Sequence, residues 1–376
     1  MKRALVAGAG PVGLTAALTL ARGGVPVTVL EAGPELAAES RASTFHPPTL
    51  EMLDGLGVLP ELMARGLIAR TFQYRDRRGG PVATLDMAVL ADDTPHPYRV
   101  QCEQSKLTPI LMEHLLRHGG EVVFGAAVRE VLPQAGGVLV TTEAGARFTG
   151  DRLVAADGAH SAVRRSLGVP FEGITYPERF LVASTEEDLD TLLPGIAPIN
   201  YVFDPEEWLV LLRTPDHWRV LLPTPEDTPD GAELARLAGR LRAVADPGRD
   251  WKVTHASLYR VHQRVAARFR DGPVLLAGDA AHVNNPLGGL GMNSGIHDAV
   301  LLAAALLSGD EAAVDEAAGR RRRVALDHVR AISHGNWEKL RSADPAAHHA
   351  ELRALAADPR AARAHLLRAC LITSLR

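Results

Sequence analysis

The sequence predicts an α/β protein: a Rossmann-like nucleotide-binding domain, an inserted β-sheet domain and a C-terminal helical segment. Three observations carry this. A short apolar run, Ala4-Leu5-Val6-Ala7, leads into Gly8-x-Gly10-x-x-Gly13, and a second run at 26–31 arrives at the spacing of a βαβ unit. Between about 178 and 270 strand-like runs alternate with Pro, Asp and Glu turns. From 310 to 376 the chain is rich in Ala, Arg and Leu and reads as helical. The expected division is 1–177 with 271–307 as the nucleotide domain, 178–270 as the inserted sheet joined by parts of 70–100, and 308–376 as terminal helices.

The composition allows this and removes several alternatives. A chain of 376 residues holds about two domains. Apolar residues make up 46% and charged residues 23%, which excludes a disordered or collagen-like chain. The net charge of −4 gives no general attraction to nucleic acid or anionic membrane. Two cysteines, Cys102 and Cys370, form no disulfide framework, so a reducing cytoplasm is expected.

Each element follows from local pattern. Residues 3–7 read as a buried strand, 12–23 as a helix and 26–31 as a second parallel strand. Met1-Lys2-Arg3 before the first apolar run imitates a signal peptide, but the run breaks at Gly8-Ala9-Gly10-Pro11, and Arg22 interrupts the next. Pro47-Pro48 opens a short helix with Leu50, Leu53 and Leu56 on one face. Residues 105–118 are helical through Leu107, Leu111 and Leu115. Strands are expected at 122–124, 127–132, 138–142 and 153–156, with Gly136-Gly137 as a turn. In the insertion, strands are expected at 199–203, 208–213 and 218–222. Residues 274–277 return to the first texture, and a helix follows at about 291–307. No stretch beyond the N-terminus is expected to span a bilayer.

The glycines carry the chemistry. Gly8 permits a tight turn, Gly10 lets backbone approach a pyrophosphate, and Gly13 lets the helix pack on the strand. The helix N-terminus at Pro11 and Val12 then offers N–H groups and positive dipole to phosphate. Glu31 ends the second strand, where a carboxylate accepts from an adenosine ribose. A second site, Val154-Ala155-Ala156-Asp157-Gly158, is a strand followed by a sharp turn, and a helix comes after it. The third begins with Ala277-Gly278-Asp279-Ala280-Ala281-His282, where a buried strand delivers Asp279 at its C-terminal end. It continues through Pro286-Leu287-Gly288-Gly289-Leu290-Gly291-Met292-Asn293 into a helix.

These three segments, in this order over nearly the whole chain, resemble the FAD-dependent aromatic hydroxylases, the single-component flavoprotein monooxygenases similar to p-hydroxybenzoate hydroxylase. The resemblance implies an FAD cofactor, with NADPH or NADH as transient reductant. It implies oxygen transfer from a flavin hydroperoxide to an aromatic or polyketide-like small molecule. It also implies residue roles. Gly8, Gly10, Pro11, Val12 and Gly13 would hold the pyrophosphate, and Glu31 the ribose. Arg41 and Gln104 would reach the cofactor, and Val128 would touch adenine through its backbone. Asp157, Gly158 and Asp279 would bind FAD, and Pro286 with Gly289, Leu290, Gly291, Met292 and Asn293 would border its ring. The chain departs from the family in having Asn285 before Pro286 and Leu290 where Gln is common, and both are expected to alter the pocket wall. The other readings are a flavin-dependent reductase or oxidase on this scaffold, and a non-catalytic flavin-binding protein.

The substrate residues are less marked. The apolar strand from Trp208 to Arg213 is either buried on both faces or lines a pocket. Tyr201, Trp208, Arg213, Arg219 and Tyr259 are the candidates to face a substrate. His46 and His282 have the chemistry for proton transfer, but no catalytic base is assigned. The histidines lack metal-ligand spacing, so no metal is expected. Arg320 to Arg323, flanked by Asp315, Glu316 and Asp327, read as a solvated, salt-bridged helix face.

Overall fold

The structure is a computed structural model, and it describes residues 1–38, 42–342 and 345–376. The chain opens with β1 (Ala4–Ala7), α1 (Pro11–Arg22) and β2 (Val27–Leu30). Next come β3 (Thr44–Phe45), α2 (Pro47–Gly55), α3 (Leu59–Arg65) and β4 (Leu67–Ala69). A hairpin, β5 (Thr71–Asp76) and β6 (Gly80–Asp86), precedes β7 (Arg99–Gln101) and α4 (Gln104–Arg117). Then follow β8 (Glu121–Val123), β9 (Val128–Gln134), β10 (Gly137–Thr142), β11 (Arg147–Gly150), β12 (Arg152–Ala155) and α5 (Ala162–Ser166).

The apolar runs become the centre of a six-stranded sheet, in the order β18-β19-β12-β1-β2-β8. Here β18 is Arg270–Asp271 and β19 is Val274–Leu276. All pairings are parallel except the β18 edge. Successive side chains of a strand point to opposite faces. Val6 lies on the α1 side, against Gly13, while Leu5 meets Gly150 of β11 on the other side. The sheet is thus covered by helices on one face and by the β9–β10–β11 meander on the other.

The second sheet has eight strands, in the order β20-β17-β13-β16-β15-β14-β5-β6. Its members are β13 (Phe171–Thr185), β14 (Ile199–Phe203), β15 (Leu209–Arg213), β16 (Trp218–Pro225), β17 (Val253–Ala266) and β20 (His282–Val283), with β5 and β6 at the far edge. Position 178 lies inside β13, because the change in texture marks composition and the strand runs through it. The insertion is also less purely β than expected. It holds α6 (Leu189–Leu192) and α7 (Asp230–Val244), and Leu237 and Leu241 of α7 are buried against the sheet with Leu209, Leu211 and Leu222.

The other face of this sheet is covered by the C-terminal helices. These are α10 (Ala331–Leu340), α11 (Pro345–Ala357) and α12 (Pro359–Ala369), whereas α9 (Glu311–Val324), which a π-helical stretch at Ala325–Arg330 follows, packs on the helix before it. Leu340, Leu352, Leu366 and Cys370 share one apolar cluster with Phe72, Phe180 and Val210. The helix before these, α8 (Leu290–Ser308), packs on α1, α2 and α9. Its 19 residues have the length and mean hydropathy, 1.4, of a bilayer-spanning helix, which corrects the expectation that no such stretch exists. Most of it is buried against α1 and α9, so its apolarity serves the core of this fold.

Candidate active site

The C-terminal ends of four parallel strands bring three sequence segments to one crevice, where open α/β sheets bind ligands. Gly8 follows β1, Glu31 follows β2, Asp157 follows β12, and Asp279 follows β19. Gly8 has φ of +97°, and a Cβ there would lie 2.5 Å from the Ala156 carbonyl oxygen. A Cβ on Gly13 would lie 1.9 Å from the Gly8 carbonyl oxygen, so glycine lets α1 sit on the loop. Gly10 differs from both. It has φ −72° and ψ 177°, open to any residue, and a Cβ there would meet nothing within 4 Å. Its missing side chain leaves space in the crevice, in front of a helix N-terminus with no side-chain cap. Gly10→Val is therefore expected to leave apoprotein stability within about 0.5 kcal/mol and to abolish flavin retention. Thermal unfolding and the flavin content after gel filtration check this. A flavin content equal to that of the parent would refute it.

The carboxylates around this crevice are differently committed. Glu31 accepts from Ala9 N at 2.6 Å and Gly33 N at 2.8 Å, which uses about half of its acceptor positions. Asp157 accepts from Val163 N at 3.1 Å, but its buried Oδ1 has no partner. Burial pushes its pKa up. Gly158 next to it has φ of +81°. Asp279 is exposed on a 3-10 turn, Gly278–Ala280. Arg164 joins the last two sites, donating to Ala159 O and Ala280 O at 2.9 Å each. Gln104 starts α4, and its N–H donates to Ala42 O at 3.0 Å. Val128 starts β9, buried and opposite Thr142. Arg41 lies outside the described residues. The Val12 side chain is wedged between α1 and α8: Cβ atoms on Gly278 and Gly295 would lie 2.9 and 2.6 Å from it. Any cofactor contact by Val12 is thus left to its backbone.

The loop before α8 is held from below by side chains, and this corrects the pocket-wall expectation at Asn285 and Leu290. Gly288 and Gly289 have φ of +117° and +66°, so the loop turns where other residues are strained. Asn293 uses its whole amide within the protein. Its Oδ1 accepts from His46 N and Thr49 Oγ1, and its Nδ2 donates to Thr44 O and Gly289 O. No side-chain capacity is left for a cofactor. Leu290 is fully buried with Val324, Val329 and Leu371, so it forms no pocket wall. Asn285 is also a clamp, donating to the Tyr176 hydroxyl at 2.9 Å and Ser333 O at 3.0 Å. Met292 is buried in the core, Gly291 lies against Asn284, and Pro286 borders the cavity described below.

The two histidines are committed to the same support. His46 Nε2 donates to Gly288 O at 3.0 Å, since a carbonyl only accepts. Burial, with Arg99 nearby, holds its pKa well below the usual value, so the ring stays neutral. His282 Nε2 donates to Asp298 Oδ2 at 2.8 Å. Asp298 also accepts from Gly278 N at 3.1 Å and Arg321 Nε at 2.6 Å. Arg321 is 1% exposed, which corrects the solvated reading for that arginine, whereas Arg320 and Arg323 are exposed as expected. Arg321 reaches its partner by tertiary packing instead of helical spacing.

On the second sheet, residues paired across strands share a face. Tyr201, Val210 and Leu221 are register partners and, with Ile199 and Leu212, line a cavity under Pro286–Gly289. Trp208 lies on that face but is packed in the core against Phe180, with centroids 5.5 Å apart. Tyr259 also meets Phe180, at 6.1 Å. Arg219, paired with Leu212, shares the face. Arg213 is the exception. One residue on from Leu212, it projects to the α7 side, with its guanidinium 5.8 Å from the Trp218 ring. Of the five candidates, Tyr201 lines the cavity. The sequence reading missed Arg99, which lines this cavity and a larger one beside it. Its strand is three residues long and carries no periodic signal.

With this geometry in view, the comparisons with known proteins are consistent. A family model described as FAD binding domain matches residues 1–331. The chain is 35% identical over 357 residues to para-nitrophenol 4-monooxygenase of Pseudomonas sp. strain WBC-3, covering 91% of this chain and 88% of that protein. The crystal structure of p-nitrophenol 4-monooxygenase PnpA from Pseudomonas putida DLL-E4 superposes with a TM-score of 0.92 at 33% identity, covering 98% of both chains. An aklavinone-11 hydroxylase, solved with FAD and aklavinone, superposes with a TM-score of 0.81 at 27% identity, covering 90% of this chain and 69% of that one.

Proposed function

The chain belongs to the FAD binding domain family, with aromatic monooxygenases among its relatives, and from that premise we propose that it hydroxylates a small aromatic molecule using FAD, NADH or NADPH, and O2. The observation that carries this is the Pro286–Gly289 loop. It lines a largely aliphatic cavity and leads into the N-terminus of α8, so a ring bordering the loop meets a substrate in that cavity. Bound FAD supplies the redox chemistry and the activation of oxygen.

The residues fit that cofactor. The open space at Gly10 and the uncapped N-terminus of α1 suit a pyrophosphate. The unpartnered Oδ1 of Asp157 suits a hydroxyl donor. We assign Glu31 to the adenosine ribose and Asp279 to the ribityl or pyrophosphate portion. The N-terminus of α8, capped by Gly289 without a side-chain acceptor, favours negative charge at the loop. Ile199, Val210, Leu212 and Leu221 keep water from that side of the site. A cytoplasmic location is supported by two unpaired, buried cysteines.

Turnover under labelled oxygen gas tests the reading. One labelled oxygen atom is expected in the product, with NAD(P)H oxidised faster when substrate is present. A reduced or desaturated product without label would replace hydroxylation by reductase or oxidase chemistry. Asp279→Ala is expected to weaken FAD binding by roughly 10- to 150-fold, the loss of a charge-assisted hydrogen bond of about 1.5–3 kcal/mol. Flavin-fluorescence titration measures it, and an unchanged affinity would remove Asp279 from the cofactor site.

A further inference from the structure

Arg99 is 3% exposed, and among the described residues no carboxylate pairs with it. Its contacts are weak ones for a guanidinium. It lies 4.8 Å from the centroid of the Phe72 ring, one amino group is 3.7 Å from Cys370 Sγ, and its polar partner is the neutral Tyr201 hydroxyl. Its Nε has no partner. A buried charge left without a counter-ion is costly, and native folds rarely keep one without a use for it. Arg99 is also placed where a ligand reaches it. It lines both cavities, and Tyr201 and Gly288 line both with it. The larger cavity carries Lys339 and Arg368 as well, and no Asp or Glu lines it. A cleft of one sign concentrates ligands of the other.

We propose that Arg99 is the specificity-determining residue for the substrate's charge, and that the substrate is an anionic aromatic whose ionised oxygen substituent docks on Arg99 beside the Tyr201 hydroxyl. The larger cavity is then its way in, and the ring lies in the smaller one against Gly288. The planar fork of the guanidinium suits a phenolate or carboxylate oxygen, whereas an apolar wall alone selects only shape. This rests on the hydroxylase reading for what happens to the ring afterwards, but the binding claim stands apart from turnover.

The experiment is binding to the FAD-loaded protein without NAD(P)H. Para-nitrophenol is titrated above its own pKa, and para-nitroanisole, its neutral methyl ether, is the control. The change in the flavin spectrum reports occupancy. The anion is expected to bind about 30-fold more tightly than the ether, a preference carried by one charge-assisted contact. Arg99→Met is expected to abolish the preference with FAD content unchanged, and Arg99→Lys to restore part of it. Equal binding of anion and ether to the parent protein, or an unchanged preference in Arg99→Met, overturns the proposal. So does failure of both para-nitrophenol and 4-hydroxybenzoate to bind. The parent comparison needs no variant, so a poorly folding Arg99→Met leaves the test decisive. Oxygen-label incorporation is read separately, so failure of the hydroxylase reading shows as unlabelled product while the charge preference persists.

Discussion

Arg321→Ala is expected to lower the stability of the protein by about 3–5 kcal/mol, the usual cost of leaving a buried charge without its partner. Asp298 is completely buried and Arg321 nearly so. Burial pushes the Asp298 carboxyl up, but Arg321 and His282 outweigh it and the net shift is downward. Removing Arg321 deletes the Nε contact to Asp298 and the contact to Ser294 Oγ at 3.0 Å. The remaining donors, Gly278 N and His282, leave the carboxylate under-neutralised. The functional consequence follows from Gly278, whose N–H donates to Asp298 and whose neighbour is Asp279. Loosening Asp298 loosens the turn that presents Asp279 to the crevice, so flavin retention falls along with the unfolding midpoint. Urea unfolding measures the first effect and flavin content the second. Arg321→Ala/Asp298→Asn, which removes both charges, is expected to recover part of the loss. A loss below about 1 kcal/mol in the single variant would show that the pair is not a support.

The same pair shows what a linear reading of the chain reaches. Gly8, Gly10 and Gly13 were legible because their roles are local: a strand, a tight turn and a helix lie within a few residues of each other. The parallel strands were legible for a related reason, since strands covered on both faces are continuously apolar. Arg321 was not. Asp315, Glu316 and Asp327 offered partners near helical spacing, while the true partner comes from α8 through packing. The motif at 288–293 points its backbone to a cofactor, and it does not reveal that the Asn293 amide is fully used beneath it by Thr44, His46, Thr49 and Gly289. The helix at Asp230–Val244 went unread because the turn-rich stretches around it suggested sheet throughout, although Leu237 and Leu241 stand one helical turn apart. Arg99 had no one-dimensional signal at all. Its meaning is the missing carboxylate, and a missing partner is visible only once the neighbours are known.

Acid is expected to destabilise the protein well before its carboxylates titrate, starting below about pH 6.5. His46 is fully buried, and desolvation, aided by Arg99, lowers its pKa well below the ordinary 6.5. Desolvation lowers His297 to about 3 and His365 to about 4. These rings are neutral in the folded protein at any pH above those values. In the unfolded chain each takes a proton as pH falls through about 6.5. The unfolded state then binds more protons, so stability is fully present above 6.5 and is lost as pH falls toward the folded values. Each histidine contributes at most about 1.4 kcal/mol per pH unit, so the three together set a slope of up to about 4 kcal/mol per unit between pH 6 and 5. The raised pKa of Asp157 acts in the opposite direction and trims this slope. The effect reaches the site directly. His46 holds Gly288 from below, and His297 Nε2 meets Thr49 Oγ1 at 3.0 Å under the same loop. Charging either ring there requires the loop to open, so flavin release is expected to accompany the loss of stability. Urea unfolding at a series of pH values, with flavin fluorescence followed in parallel, measures both. A uptake of between two and three protons on unfolding near pH 5.5 is the quantitative expectation, and His297→Gln should reduce it by about one. A stability curve that stays flat from pH 7 to 5 would mean that these rings protonate in place, and that the loop is not held by neutral histidines.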